Sequence, residues 1–402
     1  MVIIADLHLH SKYSKATSSQ LNFDNLVKYA RMKGIDLLGT GDFTHPEQMN
    51  NIRRMKEKMG VYYFNNFPFI ISGEISLIYN HHKPRKVHLI VLVPNLMIAD
   101  KINSFLDGLG RRDYDGRPIF GISCEKFTEE MMKISNEIEI IPAHIWTPWF
   151  GVFGSKSGFD SLKDAFGNQV NNIHAIETGL SSDPLMNWRL SQLDNLTILS
   201  FSDSHSFWPW RLGREATIFD VDNNSISYSR IIKSIRENNL IGTIEVDPAY
   251  GIYHYDGHRN CNFSCSPEET KRLNGICPVC KEPLTIGVDY RVNELADRPV
   301  GFVRENAKKF YKILPLHEVI SLFTETGLNS KVNWELYYEL INNFDNELNV
   351  LINVEKNKFY EKKINPRLID LIIKNREGKI KIRPGYDGKY GEAILEEQTK
   401  LF

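Results

Sequence analysis

The sequence predicts an α/β fold extended by two further regions, and three observations predict it. Short apolar segments alternate with amphipathic ones from Met1 to about Asp247. Four of the five cysteines fall within residues 261–280. From 301 to 402 the chain reads as mainly helical, ending in a block rich in Lys and Arg. Alternation of that length argues a parallel α/β sheet or barrel, in which function sits at the carboxyl ends of the strands. At about 150 residues per domain, the 402 residues divide into 1–247, a cysteine-bearing lobe 248–300 and a C-terminal region 301–402.

The elements follow in order. Val2-Ile-Ile-Ala5 is a strand, and Phe23 to Met32 a helix with Leu26, Tyr29 and Ala30 on one face. Asp36-Leu-Leu38, Phe67–Ser72, Val87–Val93, Glu139–Ile141, Ile173–Ile176 and Thr197–Phe201 are further strands, with helices between most of them. Asp247-Pro-Ala-Tyr-Gly251 is a break. Beyond the lobe, Lys308–Leu314, His317–Phe323 and Trp334–Asn342 read as helices.

Apolar residues make up 42% and aromatic ones 11%, too rich for global disorder. Lys and Arg number 49 against 50 Asp and Glu, which excludes a uniformly basic nucleic-acid coat but not a local patch. Such a patch exists: between Leu351 and Tyr390 eleven basic residues face five acidic ones. The longest apolar runs, such as His88–Pro94, fall far short of the roughly 18–20 residues of a membrane helix. Met1–Ala5 has no basic flank and reads as structure, so no signal peptide and no membrane is expected. Clustered rather than dispersed cysteines fit a metal site in a reducing compartment, hence a cytoplasmic location.

The chemistry-bearing residues recur at strand ends. In Asp6-Leu-His-Leu-His10, His8 and His10 share one face of a strand because side chains alternate with period two. Asp42 and His45 lie in Gly-Thr-Gly-Asp-Phe-Thr-His, Glu74 follows a strand, His88 opens one, His144 ends one, and Asp203 and His205 end another. Imidazole with carboxylate is a ligand set for zinc, manganese or iron. A carboxylate such as Glu74 can bridge two ions, and metals about 3.5–4 Å apart clamp the attacking and leaving oxygens of phosphoryl transfer. Cys261-x3-Cys265 and Cys277-x2-Cys280 form two knuckles whose four thiolates suit one structural zinc. Cys124 reads as core, His81 and His82 as loop, and His254 and His258 as outer groups beside the cysteines. Trp146, Trp149, Phe150 and Trp208 fall within a few residues of proposed ligands, where aromatics suit base stacking. Arg211 and Arg214 suit phosphate clamping.

The ordered set His8-x-His10, Asp42, Glu74, His88, His144 and Asp203-x-His205 resembles the PHP (polymerase and histidinol phosphatase) superfamily. Its members are distorted (β/α) barrels with a two- or three-metal phosphoesterase site. The resemblance implies one metal on His8, His10, Glu74 and Asp203 and a second on Glu74, His88 and His144, with zinc, manganese or magnesium as candidates. It also implies catalytic work for Glu74, Asp203, His205 and Asp42. The family's usual Asp-His is here Asp42-Phe43, so His205, with Asp42 or His45, is left as a third-metal ligand or as an acid or phosphate contact. The whole chain further resembles the endonuclease Q family, including Leu314-Pro-Leu-His-Glu-Val319 and Lys381-Ile-Arg-Pro-Gly-Tyr-Asp-Gly388. That resemblance implies a DNA repair endonuclease acting 5′ of a deaminated base (uracil, hypoxanthine, xanthine) or an abasic site, with the lesion extruded from the duplex. Two alternatives stand beside it: a small-molecule phosphatase of the histidinol-phosphate type, and a non-catalytic, metal-stabilised repair scaffold. Gln398-Thr-Lys-Leu401-Phe402 resembles the start of a sliding-clamp-binding motif.

Overall fold

A computed structural model describes residues 2–222 and 225–395 of the chain; the clamp-like Gln398–Phe402 lies outside the described residues. The strands that position the site are β1 (Ile3–Asp6), β2 (Leu37–Gly39), β3 (Phe67–His81), β4 (Lys83–Val93), β5 (Glu139–Pro142), β6 (Ala175–Glu177), β7 (Thr197–Leu199), β8 (Ala216–Phe219) and β9 (Leu240–Glu245). β1, β2 and β3 pair in parallel. β3 turns back into β4, and β4 pairs with β5, both antiparallel. Ile145 N donates to the Glu177 carbonyl, carrying the order on to β6, which pairs in parallel with β7. His10 N donates to the Ser204 carbonyl, returning the path beyond β7 to β1. Seven strands therefore follow one another around a ring.

The sheet is mixed, not the parallel one that alternation predicts. β8 joins β1 and β9 joins β8, each antiparallel. The predicted strands at Phe67 and Val87 are halves of one long hairpin, whose turn places His82 at φ 60°. A tight turn links antiparallel strands directly, whereas a parallel pair needs a long crossover.

The helix Phe23–Lys33 begins at Asn22, whose side chain accepts from Asn25 N, and ends at Gly34 in left-handed conformation. Its Phe23, Leu26, Val27 and Ala30 are buried, the amphipathic spacing of a helix against a sheet.

The segment Lys308–Leu314, read as helical, is instead a strand, β12 (Lys309–Lys312), paired in parallel with β9. Four residues are too few for periodicity to decide, and the open edge of β9 supplies hydrogen bonds. The lobe opens with the antiparallel pair β10 (Asp256–His258) and β11 (Phe263–Cys265). Helices Leu316–Thr324, Lys331–Phe344 and Pro366–Arg376 follow β12 and pack into the same apolar core as the first strands. Lys33 Nζ crosses that junction buried, 2.6 Å from Glu347 Oε1, while Glu347 also accepts from Tyr337 and Leu316 N.

Candidate active site

The strands deliver their side chains into a single buried cluster. His8, His10, Asp42, His144, Glu177 and Asp203 come from at or just beyond strand ends, but Glu74 and His88 come from the middles of β3 and β4. The strands expected to end before Glu74 and to open at His88 run on through both residues as one long hairpin. The backbone must bend sharply to aim three of them: Asp42, His144 and Asp203 take φ of 48°, 29° and 46°. This left-handed region costs a non-glycine residue about 1–3 kcal/mol and persists where the surroundings enforce it. Gly179, itself at φ 65°, leaves the room His144 needs, since a Cβ there would lie 2.6 Å from the His144 Cβ.

Two groups of donors form, sharing Glu74. In the first, His8 Nε2 lies 3.8 Å from Glu74 Oε1 and 3.6 Å from Asp203 Oδ1; His10 Nε2 lies 3.0 Å from Asp203 Oδ1 and 3.5 Å from Glu74 Oε2. In the second, Glu74 Oε1 is 2.6 Å from His88 Nδ1 and 3.0 Å from His144 Nε2. Such separations suit nitrogen and oxygen donors each about 2 Å from a common cation. His8 Nε2 is buried with no hydrogen-bond partner, which is costly unless something else occupies it.

Behind these donors sits a layer that single residues in the sequence did not advertise. Glu177 Oε1 is 2.8 Å from His8 Nδ1, and its Oε2 accepts from His144 N at 2.6 Å. This carboxylate fixes the His8 ring with Nε2 facing the cluster, the usual way a ligating imidazole is oriented. Arg117 Nη1 donates to Glu74 Oε2 at 3.1 Å. Neither was foreseen: one Glu ending a strand and one Arg in a loop carry no local pattern.

Asp42, expected to act in catalysis, lies in this supporting layer. Its Oδ1 lies 3.1 Å from His10 Nδ1, and its Oδ2 accepts from Ser11 N, Ser11 Oγ and Ser14 Oγ. Both oxygens are engaged, one of them with the His10 ring. His205 packs its ring 4.2 Å from that of His10, with Nδ1 3.1 Å from the Asp203 carbonyl.

The electrostatics favour positive charge at the cluster. Burial works against an ionised Glu74, but His88, Arg117, His144 and His8 outweigh it and hold the carboxyl well below its ordinary range. Burial is likewise outweighed at Asp203 by His8 and His10, leaving it strongly depressed. Burial opposes a cation at His10, yet Asp203 and Asp42 push it up to about 9. His88 is brought down to about 4 by burial, which Glu74 only partly offsets.

The cluster opens onto a cavity of about 390 Å³ lined by His144, Asp203, His205, Arg211, Arg214 and Tyr390 among others. Arg214 is 6% exposed and gives Nε and Nη2 to the Ser202 carbonyl; Nη1 of both arginines is buried without a partner. The aromatics divide. Phe150 packs on His88 at 4.1 Å and the half-buried Trp149 on Tyr253 at 5.7 Å. Trp146, expected at the substrate, is 1% exposed and donates Nε1 to Asn187 Oδ1, so it is core. Trp208 lies flat on Trp210 at 5.2 Å and beside Trp334 at 5.9 Å. It serves the seam with the C-terminal helices rather than the cavity.

In the lobe the structure corrects one member of the expected quartet. His258, Cys261, Cys277 and Cys280 converge, with His258 Nδ1 3.1 Å from Cys280 Sγ. Cys265 instead turns inward, its Sγ 3.2 Å from Thr270 Oγ1. Pairing across β10 and β11 sets Cys265 opposite Asp256 and leaves His258 at the ladder's far end. The available signal was spacing: His258-x2-Cys261 matches Cys277-x2-Cys280, whereas Cys261-x3-Cys265 does not. Cys277 is brought down to about 6: burial opposes this, but the Cys280 and Val279 amides and His258 prevail.

Residues 315–379 match the family model described as the MJ0043 C-terminal domain. The protein MJ0043 of Methanocaldococcus jannaschii is 32% identical over 293 residues, covering 72% of this chain, and the match spans 35% of that longer relative. The crystal structure of the lesion-specific endonuclease PfuEndoQ from Pyrococcus furiosus is similar with a TM-score of 0.87 and 30% identity, over 100% of this chain and 98% of that one. A structure of Endonuclease Q in complex with a 27-mer duplex, an abasic lesion at its active site, is similar with a TM-score of 0.89 and 29% identity, over 99% and 98% of the two chains. With 30% identity sustained across nearly the whole of both chains, this chain belongs to the endonuclease Q family.

Proposed function

We propose that this chain is a metal-dependent DNA repair endonuclease. It hydrolyses the phosphodiester on the 5′ side of a deaminated base (uracil, hypoxanthine or xanthine) or of an abasic site. One observation carries the reading: two donor groups sharing Glu74 open onto a cavity bearing two arginines, in a chain alike end to end to a lesion-specific endonuclease.

The donors fit divalent ions, because two carboxylates are held ionised and the buried His8 Nε2 has no other partner. His8, His10, Glu74 and Asp203 would hold one ion and Glu74, His88 and His144 a second; zinc, manganese and magnesium all suit. Bound there, such ions lower the pKa of a water and neutralise phosphate charge. The rest falls to the protein. Glu177 and Asp42 lock the His8 and His10 rings with Nε2 inward. Arg211 and Arg214 bring donors to the phosphate oxygens of the nucleotide entering the cavity. With Nδ1 turned to the Asp203 carbonyl, His205 keeps a free Nε2 lone pair. It acts there as a proton acceptor or a further ligand rather than as an acid. His258, Cys261, Cys277 and Cys280 would hold a structural zinc.

The ring of strands supports a distorted (β/α) barrel of the PHP type. The helices and basic surplus of the last hundred residues support a DNA-contacting role for that region. No helix among the described residues is long and apolar enough to cross a membrane. A cytoplasmic location and a sliding-clamp contact through Gln398–Phe402 complete the reading.

The test is a nicking assay with labelled duplexes carrying one uracil, one hypoxanthine, one abasic site or no lesion, with manganese or magnesium added. A single cut immediately 5′ of each lesion, absent from the plain duplex, is expected. No cut on any duplex, together with turnover of small phosphate esters, would replace this reading with a phosphatase.

A further inference from the structure

The segment Arg383–Gly391 has no part in the cluster described above, yet it reaches the wall of the cavity onto which the cluster opens. It lies across residues 249–257 through four main-chain hydrogen bonds: Gly385 N to the Ala249 carbonyl, Tyr255 N to the Gly385 carbonyl, Gly388 N to the Ile252 carbonyl and Gly391 N to the Tyr250 carbonyl. The Asp387 carboxylate accepts from Arg259 N at 2.7 Å. The crossing is too close for a side chain, since a Cβ on Gly391 would lie 2.2 Å from the Ala249 carbonyl oxygen.

This strap delivers Tyr390 to the wall of the cavity that also carries His144, Asp203 and His205. Tyr390 remains 43% exposed. The Arg211 guanidinium lies over part of its ring, 5.0 Å from the centre, and Tyr250 supports it at 5.9 Å. Ile252 and Leu180 add apolar surface to the same cavity. Its volume of about 390 Å³ falls in the range of roughly 300–1,000 Å³ typical of small-ligand pockets. A phosphate gains nothing from an aromatic face, whereas a nucleobase does: bases drawn out of a duplex are held by stacking on aromatic rings and guanidinium planes.

We propose that Tyr390, carried to the cavity by the C-terminal strap, is the stacking platform for the extruded lesion base. The proposal rests on the endonuclease reading above and adds a specificity residue to it. A base stacks on the exposed part of Tyr390 that Arg211 leaves open, while the adjoining phosphodiester faces the Glu74 cluster. An abasic site offers no aromatic base, so it gains no stacking from Tyr390 and relies on the phosphate contacts alone.

Lesion identity therefore provides the test. Single-turnover nicking is measured for wild type, Tyr390→Ala and Tyr390→Phe on uracil, hypoxanthine and abasic duplexes of one sequence. Loss of one base stack corresponds to about 10- to 100-fold. Tyr390→Ala is expected to lose that much on uracil and hypoxanthine and less than threefold on the abasic duplex, with Tyr390→Phe restoring most of the loss. An equal loss on all three duplexes would overturn the proposal, marking Tyr390 as a support of the fold or a phosphate contact. No loss on any would overturn it too. Wild type that cuts none of the duplexes would instead overturn the endonuclease reading, and the proposal with it.

Discussion

The donor cluster around Glu74 and the one around Cys277 differ in what holds them. Around Glu74 the donors arrive from separate strands, Glu74 and His88 from mid-strand and the others from strand ends, fixed by Glu177, Asp42 and Arg117 and flanked by two large apolar cores. Around Cys277 the buried apolar residues are Cys265, Cys277 and Leu284, with Cys261, Phe263 and Leu273 packed against them. Cys280 is exposed. A core that small cannot offset the entropy of ordering its own chain. In the first region the fold positions the donors. In the second, the proposed zinc would have to position the fold.

Removing metal separates the two regions most sharply. Structural zinc contributes on the order of 10 kcal/mol in small metal-folded domains. Cys277→Ser or a strong chelator should therefore unfold the stretch around the cysteines, residues 258–284, while the strand ring keeps its cooperative transition, with residues 249–257 held by the C-terminal strap and Val288 and Val292 by the large core. Limited proteolysis with mass spectrometry would detect cuts confined to the lobe. The corrected quartet sharpens this comparison: His258→Ala should lose one zinc per chain and become protease-sensitive, whereas Cys265→Ala should keep its zinc. Zinc retained in His258→Ala and lost in Cys265→Ala would restore the four-cysteine set.

In the Glu74 region the scaffold bears the load, so changing a support should cost activity and not fold. Glu177→Gln keeps the shape but weakens the hold on His8 Nδ1. Loss of such an outer partner typically costs 10–100-fold, and that loss in nicking is expected with little change in melting temperature. A melting temperature that falls by ten degrees would instead make Glu177 a stabiliser of the sheet.

The smallest effect concerns the carboxylates beneath the cluster. Glu245 is pushed up to about 8, chiefly by burial, despite hydroxyls from Thr243, Thr178 and Ser200. Below its ordinary value of 4.5, folded and unfolded chains both hold the proton. Between 4.5 and about 8 only the folded chain does, so this group's contribution to stability falls as pH rises through that window. Glu245→Gln removes the dependence. Its stability relative to wild type should be higher at pH 8 than at pH 5 by about 1–3 kcal/mol, read from denaturant unfolding at the two pH values. An equal difference at both would place an ionised Glu245 in the fold.

How much was legible follows from how local each signal is. The His-x-His pair and the strand-end residues Asp42, His144 and Asp203 were readable, because period-two geometry and strand-end placement act over a few residues. Glu74 and His88 were found by residue type but misplaced, since the strands that carry them run on into one long hairpin. Glu177 was not, since its partner His8 lies 169 residues away. His258 was within reach through its spacing to Cys261. The sheet's mixed topology was hidden in a turn at His82 that carries no Gly or Asn signal. β12 was misread because four residues fit either period and the free edge of β9 decided between them. Trp146 shows the opposite error: sequence proximity to His144 did not put it at the substrate, because its ring points into the core.

The central claim is that Glu74 joins two donor groups into one reaction centre. It is tested most directly by Glu74→Gln on a labelled duplex bearing one abasic site, with nicking and DNA binding measured side by side. The amide keeps the shape and removes the shared charge. Nicking should fall by about 10³-fold or more, the scale of losing a preorganised electrostatic contact at the reacting phosphate, while DNA affinity and melting temperature stay close to wild type. Nicking within tenfold of wild type would contradict the account.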